Sequence, residues 1–233
     1  FEKRARLSLA ELDLACREAN ALKDGFDGQV RLGASSAIAA RLLPRVVQRF
    51  AQVRPKVTMR VCVDHSRILY DKLLSGDLDL VVSTPVINAE AIQELTHEPI
   101  DGFEFDANFL IMRSGHPLLQ KATPTLADAM AYPWLLPETL GDFSRTLFAY
   151  LHSQNVAAPK YILRTDSFWG GEVIVRGTDF VALTGRDPAA DLIDAGLLGG
   201  FPLPGLDVKL PGLCSYRRLS PLQPAASVLL KTI

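Results

Sequence analysis

The stretch QVRLGASSAIAARLLPRVVQRF, residues 29–50, decides the fold because it reads first as a strand and then as a helix. Apolar and polar side chains alternate up to Gly33, two serines follow, and helical spacing then begins. A helix that starts directly after a strand leaves backbone N–H groups free in its first turn, where a carboxylate or another anion can bind. An ordinary N-cap without a ligand is the alternative. The apolar positions of the helix are Ile38, Leu42, Leu43, Val46, Val47, Phe50 and Val53.

The same strand-to-helix pattern recurs further along the chain. Residues 57–63 alternate and run into Asp64-His65-Ser66 before an apolar helical stripe, and the mostly apolar strand 78–84 ends in Ser83 and Thr84. In an open parallel sheet the carboxyl ends of neighbouring strands share one edge, which is where ligands bind. The pattern therefore predicts a parallel sheet with hydroxyl side chains along its ligand-binding edge.

Composition and charge argue against several classes of protein. The 233 residues carry a formal net charge of −1, so we expect no basic surface for nucleic acid. Cys16, Cys62 and Cys214 are widely spaced, without a Cys-x-x-Cys or Cys/His cluster. This favours reduced thiols in the cytoplasm over disulfides or a zinc site. No apolar run reaches membrane-spanning length, so we expect no membrane partner, and no motif indicates a metal or cofactor.

The first 26 residues are rich in helix-forming residues and contain no proline. Their apolar residues follow a 4-3 spacing over about three heptads, interrupted only by Lys23, which is typical of a coiled-coil seam. We predict a dimerising linker helix over 1–26; the alternative is an amphipathic helix that lies on its own domain. Because no helix start signal precedes Phe1, we expect the chain to be a fragment of a longer protein. The seam consists of Ala5, Leu9, Leu12, Cys16, Ala19 and Phe26.

Strands alternate with helices through the rest of the chain. Strands are predicted over 109–112, 133–137, 161–165, 180–184 and 213–217. Helices are predicted over 125–131, from Asp142, over 167–176, near 188–195 and from Pro221. Such alternation is typical of α/β proteins with mostly parallel sheets.

Seven segments, in their order and spacing, resemble the effector-binding domain of LysR-type transcriptional regulators. They are GQVRLGASSAIAARLLPRVVQRF, RPKVTMRVCVDHSRILYDKLLSGDLDLVVSTP, HEPI, SGHPL, YPWLLP, TDS and RRLSP. The resemblance covers essentially the whole chain. It implies an α/β fold of the type 2 periplasmic-binding-protein kind, with two Rossmann-like lobes joined by crossover strands. The first lobe would span 28–100 and 207–233, and the second 101–206, after the linker helix at 1–26.

The resemblance also implies the partners. A small-molecule effector, an organic acid or a sugar-related compound, would bind between the lobes and alter the geometry of a homodimer or homotetramer. DNA would be contacted only through a winged helix-turn-helix domain that this chain lacks, and RNA polymerase only by the full-length regulator. Residues 176–186 carry Thr-Gly-Arg where many members have Leu-Pro. This resembles the branch that includes regulators of sugar-binding-protein and aromatic-acid catabolic genes.

Effector contacts are carried over from the family position by position. We expect an oxygen-rich end of the effector to bind the first-lobe residues and its other end to meet the second-lobe residues. Ala37 has a methyl group where members often have Ser or Thr, so the contact differs there. Trp169 is either an aromatic wall of the site or packs between the lobes. The predicted ligand-binding residues are Ser35, Ser36, Ala37, His65, Ser66, Ser83, Thr84, Pro137, Asp142, Phe143, Ser144 and Trp169.

Two other functional classes occur on the same fold, a periplasmic solute-binding protein and an enzyme. We expect no enzyme, since no nucleophile–base pair, metal-ligand spacing or phosphate loop is present in the sequence. Asp77 and Asp79 resemble paired carboxylates, but we expect Asp79 to bond nearby backbone. His116 lies in a His-Pro turn and is expected to be structural. An upstream winged helix-turn-helix sequence would favour the regulator, and a signal peptide the solute-binding protein.

Overall fold

The computed structural model describes residues 12, 15–16, 28–85, 93–137, 141–165, 167–206 and 208–233. The predicted linker helix lies outside the described residues except for Leu12, Ala15 and Cys16, which are helical and exposed. The chain divides into two compact units. The first contains the described residues up to Glu104 together with Pro211–Ile233, and the second is Phe105–Leu210.

The elements of the described chain follow one another as the sequence predicts, strand and helix in alternation. They are β1 (Gln29–Ser35), α1 (Ser36–Val53), β2 (Thr58–Asp64), α2 (Ser66–Ser75), β3 (Leu80–Ser83), β4 (Leu95–Asp106), β5 (Phe109–Arg113), a 3-10 turn (Pro117–Gln120), α3 (Leu126–Ala129), β6 (Trp134–Pro137), α4 (Gly141–Ser153), β7 (Ile162–Thr165), α5 (Phe168–Gly177), β8 (Val181–Thr184), α6 (Arg186–Asp194), β9 (Leu198–Pro202), β10 (Lys209–Arg217) and α7 (Pro224–Leu230).

The first unit is built on a five-stranded sheet with the order β2-β1-β3-β10-β4. β1 runs parallel to both β2 and β3, whereas β10 is antiparallel to β3. The buried face of α1 covers one side of this sheet, because its apolar residues recur every four positions. Gly76 closes α2 in the left-handed conformation, with φ 86°, which a glycine adopts without strain. The buried stripe of α1 consists of Ile38, Leu42, Val46 and Phe50.

The second unit has its own five-stranded sheet, in the order β7-β6-β8-β5-β9. β6 runs parallel to β7 and β8, and β5 is antiparallel to β8 and β9. Trp134 is fully buried at the start of β6, where its indole N–H donates to the carbonyl of Ala129 at 3.0 Å. The two sheets with flanking helices confirm the predicted α/β fold class.

Among the described residues, the carboxylate of Asp79 bonds no backbone close to it in sequence, so that prediction was wrong. Its carboxylate forms a buried ion pair with Arg31, which lies 48 residues earlier on β1. Arg31 Nη2 donates to Asp79 Oδ1 at 2.6 Å, and Arg31 Nε donates to Oδ2 at 3.2 Å. The backbone N–H of Arg31 also donates to Oδ2 at 2.7 Å. These bonds pair a carboxylate and a guanidinium that are each about 95% buried, as burial of charge requires.

Candidate ligand site at the strand ends

The carboxyl ends of β1, β2 and β3 lie at one edge of the first sheet. Ser35 is paired with Asp64 in the register of β1 and β2. Ala34 is paired with Val82 between β1 and β3, so Ser83 is level with Ser35. The predicted strand-end residues of the first unit are therefore brought to a common edge, as parallel strands require.

The beginning of α1 offers free hydrogen-bonding groups at this edge. Ser35 precedes the 18-residue helix in an extended conformation, and its side chain makes no capping hydrogen bond. The residue is only 5% exposed, and its Oγ has no hydrogen-bond partner among the described residues. Ser36 is the first helical residue, and Ala37 follows it in the helix, with a side chain outside the described set. A buried hydroxyl and the N–H groups of a helix N-terminus together suit an oxyanion.

The beginning of α2 has a different arrangement, because an acidic side chain already lies beside it. The backbone N–H of His65 donates to Asp64 Oδ1 at 2.9 Å, and Lys72 Nζ donates to Asp64 Oδ2 at 3.1 Å. The hydrogen bond to Asp64 raises the pKa of Lys72 above 10.5. His65 and Ser66 are both half-buried here, with Ser66 as the first helical residue. The lysine charge offsets that of Asp64 near the predicted site.

Ser83 belongs to a hydrogen-bond network that the sequence pattern does not predict. Its Oγ donates to Tyr70 Oη at 2.9 Å, and Tyr70 Oη lies 3.4 Å from Ser215 Oγ. Ser215 Oγ is in turn 2.7 Å from Nδ1 of His97. His97 Nε2 is buried without a hydrogen-bond partner among the described residues. Thr84, which follows Ser83, is half-buried at the same edge.

One member of this network, Tyr70, could have been recognised from the sequence. Tyr70 falls on the buried face of α2 between Leu69 and Leu73, where a phenol needs a hydrogen-bond partner. The hydrogen-bond partners of Tyr70 lie on strands that follow later in the chain, so the sequence pattern does not predict them.

The predicted ligand-binding residues of the second unit lie at one edge of its sheet. Pro137, the last residue of β6, is paired with Thr165 at the end of β7. α4 begins at Gly141 and α5 at Phe168, so 142–144 and Trp169 follow these two strand ends. The side chains of Pro137 and 142–144 lie outside the described set. Trp169 is 69% exposed.

His116 has the structural role that the His-Pro turn predicts. Its ring is fully buried, Nδ1 accepts from the N–H of Leu118 at 3.1 Å, and Nε2 lies 3.3 Å from the carbonyl of Asp179. Burial lowers the pKa of His116 below 6.5, so the ring is neutral near pH 7.

The described part of the chain contains no group of three or more His, Cys, Asp or Glu side chains arranged to hold a metal ion. Among the helices described, none has the length and hydropathy needed to cross a bilayer.

Comparison with known proteins identifies the family. Residues 23–233 match the family model described as the LysR substrate binding domain. The HTH-type transcriptional regulator GbpR of Rhizobium radiobacter is 28% identical over 187 residues, which cover 80% of this chain and 61% of the relative. The SDS degradation transcriptional activation protein of a Pseudomonas strain is 28% identical over 215 residues, or 90% of this chain and 65% of that protein. The chain thus spans less than two thirds of the length of these relatives.

Solved structures share this fold. The crystal structure of CbnR, a LysR family transcriptional regulator, has a TM-score of 0.70 at 16% identity, covering 98% of this chain and 76% of CbnR. The effector-binding domain of QuiR in complex with shikimate has a TM-score of 0.69 at 13% identity, covering 88% of this chain and 94% of that domain. The match of the family model over nine tenths of the sequence confirms the resemblance. The chain belongs to the LysR substrate-binding domain family.

Proposed function

We propose that this chain is the effector-sensing and oligomerising part of a LysR-type DNA-binding transcriptional regulator that acts in the cytoplasm. The family match and the names of the similar regulators support this proposal. DNA is contacted by a separate winged helix-turn-helix domain, and RNA polymerase by the full-length regulator. The chain itself, with a net charge of −1, contributes little to DNA affinity.

The effector site includes the strand-end edge of the first unit. The observation that carries this assignment is the hydroxyl of Ser35, which is buried without a partner at the N-terminus of α1. An organic acid, or a sugar-related compound with an oxygen-rich end, gains hydrogen bonds from this hydroxyl and from the first N–H groups of α1. Because the helix dipole stabilises negative charge at that end, the site needs no cationic side chain.

In this proposal, effector binding changes how the two units are arranged and, through them, the geometry of the dimer. The ligand contacts the strand ends of the first unit and those of the second unit, at Pro137, Asp142, Phe143, Ser144 and Trp169. Such a ligand favours one arrangement of the two units over another only if it binds one more tightly. That preference then alters the dimer geometry on which the position of the DNA-binding domains depends.

The proposed oligomer uses apolar surface on both units. In the first unit Val47 of α1 and the edge-strand residues Val61 and Val63 are exposed. In the second unit Val173 of α5 is exposed beside the edge strand β7. We assign these surfaces to antiparallel pairing of two copies, with the first unit of one facing the second unit of the other, because exposed apolar surface favours association. The apolar seam of the predicted linker helix would stabilise the same dimer further.

A ligand screen tests the proposed function. Thermal unfolding of the chain is measured with a panel of organic acids and sugars, and stabilising compounds are titrated by calorimetry. We expect at least one organic acid to raise the melting temperature and to bind one site per chain. If no compound of either class binds, and the upstream sequence encodes no winged helix-turn-helix, the proposal is wrong.

A further inference from the structure

A cavity lies within the first unit, away from the strand-end edge. It has a volume of about 510 Å³, within the usual range for small-molecule sites. One wall is formed by the exposed side of α1, and another by residues 100–103 of β4. Gly102 has a φ of 68°, and a side chain added there would meet no atom within 4 Å, so the wall is open at this point. The cavity is therefore large enough for a metabolite.

The charge of the cavity is strongly positive for a chain that is nearly neutral. Arg41, Arg45 and Arg49 line it, and their four-residue spacing places them along one face of α1. Asp101 is the one acidic residue among the lining residues described. Arg45 and Arg49 form no ion pair within the described part of the chain. Two guanidinium groups are thus available for a ligand that carries negative charge.

The rest of the lining is mixed, because Gln48, Gln52 and Thr232 contribute polar groups beside apolar side chains. The buried side chains of Val46 and Ile100 contribute to it, together with Phe103. The guanidinium carbon of Arg41 lies 5.1 Å from the centre of the Phe103 ring, a cation–π contact that holds this ring against the helix. Because Val46 and Ile100 are only 2% and 8% exposed, the apolar surface open to a ligand belongs mainly to the partly exposed Phe103 and Ile233. An inorganic ion would leave this surface in water, whereas an anion with an apolar body would cover it.

The cavity is separate from the strand-end site. Arg45 and Arg49 follow Ser36 by nine and thirteen residues, which corresponds to about 14 and 20 Å along the helix axis. Since α1 runs back along the sheet from the end of β1, these arginines lie toward the opposite edge.

We propose that this cavity is a second ligand site, for a small organic anion that has an apolar body, such as an aryl phosphate or aryl carboxylate. The oxyanion binds the guanidinium groups of Arg45 and Arg49, and the apolar body lies on Phe103 and Ile233. The site does not depend on the effector assignment at Ser35.

Calorimetric titration of the whole chain with phenyl phosphate tests the site, with benzyl alcohol and inorganic phosphate as reference compounds. We expect phenyl phosphate to bind more tightly than either, because only it has both the charge and the apolar body. The double substitution Arg45→Gln/Arg49→Gln should weaken phenyl phosphate binding by about tenfold or more, since hydrogen bonds between charged groups are lost. The matched control is Arg54→Gln/Arg60→Gln, which removes the same charge from exposed arginines outside the cavity.

Three results would overturn the proposal. They are equal weakening by both double substitutions, equal binding of phenyl phosphate and inorganic phosphate, and no binding at millimolar concentration. Arg45→Lys/Arg49→Lys keeps the positive charge but loses the planar guanidinium groups. A specific site should then bind phenyl phosphate with an affinity between those of the parent chain and the glutamine variant, whereas general charge attraction would leave the affinity at the parent value. Ser36→Pro, which alters the strand-end site, should leave phenyl phosphate binding at the cavity unchanged. The two assignments, the effector site at the strand ends and the anion site in the cavity, can therefore fail independently.

Discussion

Ser83 Oγ donates a hydrogen bond of 2.9 Å to Tyr70 Oη, and this bond joins the end of β3 to α2. Through Ser215 on β10 and His97 on β4, the same network reaches two further strands. Both of these strands contain the points at which the chain passes from one unit to the other. A strand end assigned to effector binding is thus connected by hydrogen bonds to the strands that link the units.

Removal of the Tyr70 hydroxyl tests the strength of this network. Tyr70→Phe leaves the buried hydroxyls of Ser83 and Ser215 without that partner, so the free energy of unfolding should fall by about 1–3 kcal/mol. Urea unfolding followed by circular dichroism measures the change. Tyr216→Phe is the control, because Tyr216 donates to Glu98 at an exposed position and should cost less than about 1 kcal/mol. Equal losses in the two variants would contradict a special role for the network.

The buried ion pair between Arg31 and Asp79 should be a major determinant of stability. Asp79→Ala leaves a buried guanidinium without its charge partner, so the free energy of unfolding should fall by about 3–5 kcal/mol. Arg176→Ala breaks an i,i+4 pair with Glu172 on α5, and a loss of about 0.5 kcal/mol or less is expected. Both values come from urea unfolding. A loss below about 1 kcal/mol for Asp79→Ala would show that the ion pair contributes little.

The cysteines should differ in reactivity. Burial raises the pKa of the Cys214 thiol to about 12, so almost no thiolate is present at pH 8, whereas Cys16 is exposed. Reaction with 5,5′-dithiobis(2-nitrobenzoate) at pH 8 should modify Cys16 rapidly and Cys214 only after denaturation. Cys16→Ser should remove the fast phase, and Cys214→Ala should not. A fast phase that is lost in Cys214→Ala would contradict the burial.

Stability should decrease at acid pH through His116. Burial lowers the pKa of this ring in the folded state, so between about pH 6.5 and the lowered value the unfolded chain binds a proton that the folded chain does not. The free energy of unfolding therefore rises with pH in this window and falls as the solution is acidified. Urea unfolding at pH 7.5, 6.5 and 5.5 measures the slope. His116→Asn keeps a side-chain acceptor for the Leu118 N–H and should flatten the slope, whereas a change at the exposed His152 should not.

Much of the first sheet could be predicted from the sequence, because its signals are local. The two strand-to-helix junctions at Ser35 and His65 each combine alternation, a polar break and an apolar stripe, and the third strand is a short apolar run that ends in Ser83. β9 was missed, since LGGFP has two glycines and no alternation, and β4 was missed because Pro99 and Gly102 interrupt it.

The buried polar contacts could not be predicted, because they depend on strand order. Arg31 alternates with apolar residues in β1, and nothing in that alternation indicates that it bonds to Asp79 inside the first unit. Ser215 follows Tyr70 by 145 residues, and only the adjacency of β3, β10 and β4 brings the two together. Side-chain contacts between distant segments are set by tertiary structure, which periodicity does not encode.

Binding of an organic acid at the N-terminus of α1 is the central claim, and one calorimetric comparison tests it most directly. The best organic acid from the ligand screen is titrated into the parent chain and into Ser36→Pro and Ser66→Ala. Proline is tolerated at the first position of a helix, so Ser36→Pro should fold while it deletes a backbone N–H and a hydroxyl. We predict that Ser66→Ala weakens binding by about 0.5–1.5 kcal/mol, that Ser36→Pro weakens it more, and that Ser153→Ala, a control on α4, has no effect. Unchanged affinity in both Ser36→Pro and Ser66→Ala would contradict the assignment and place the effector elsewhere.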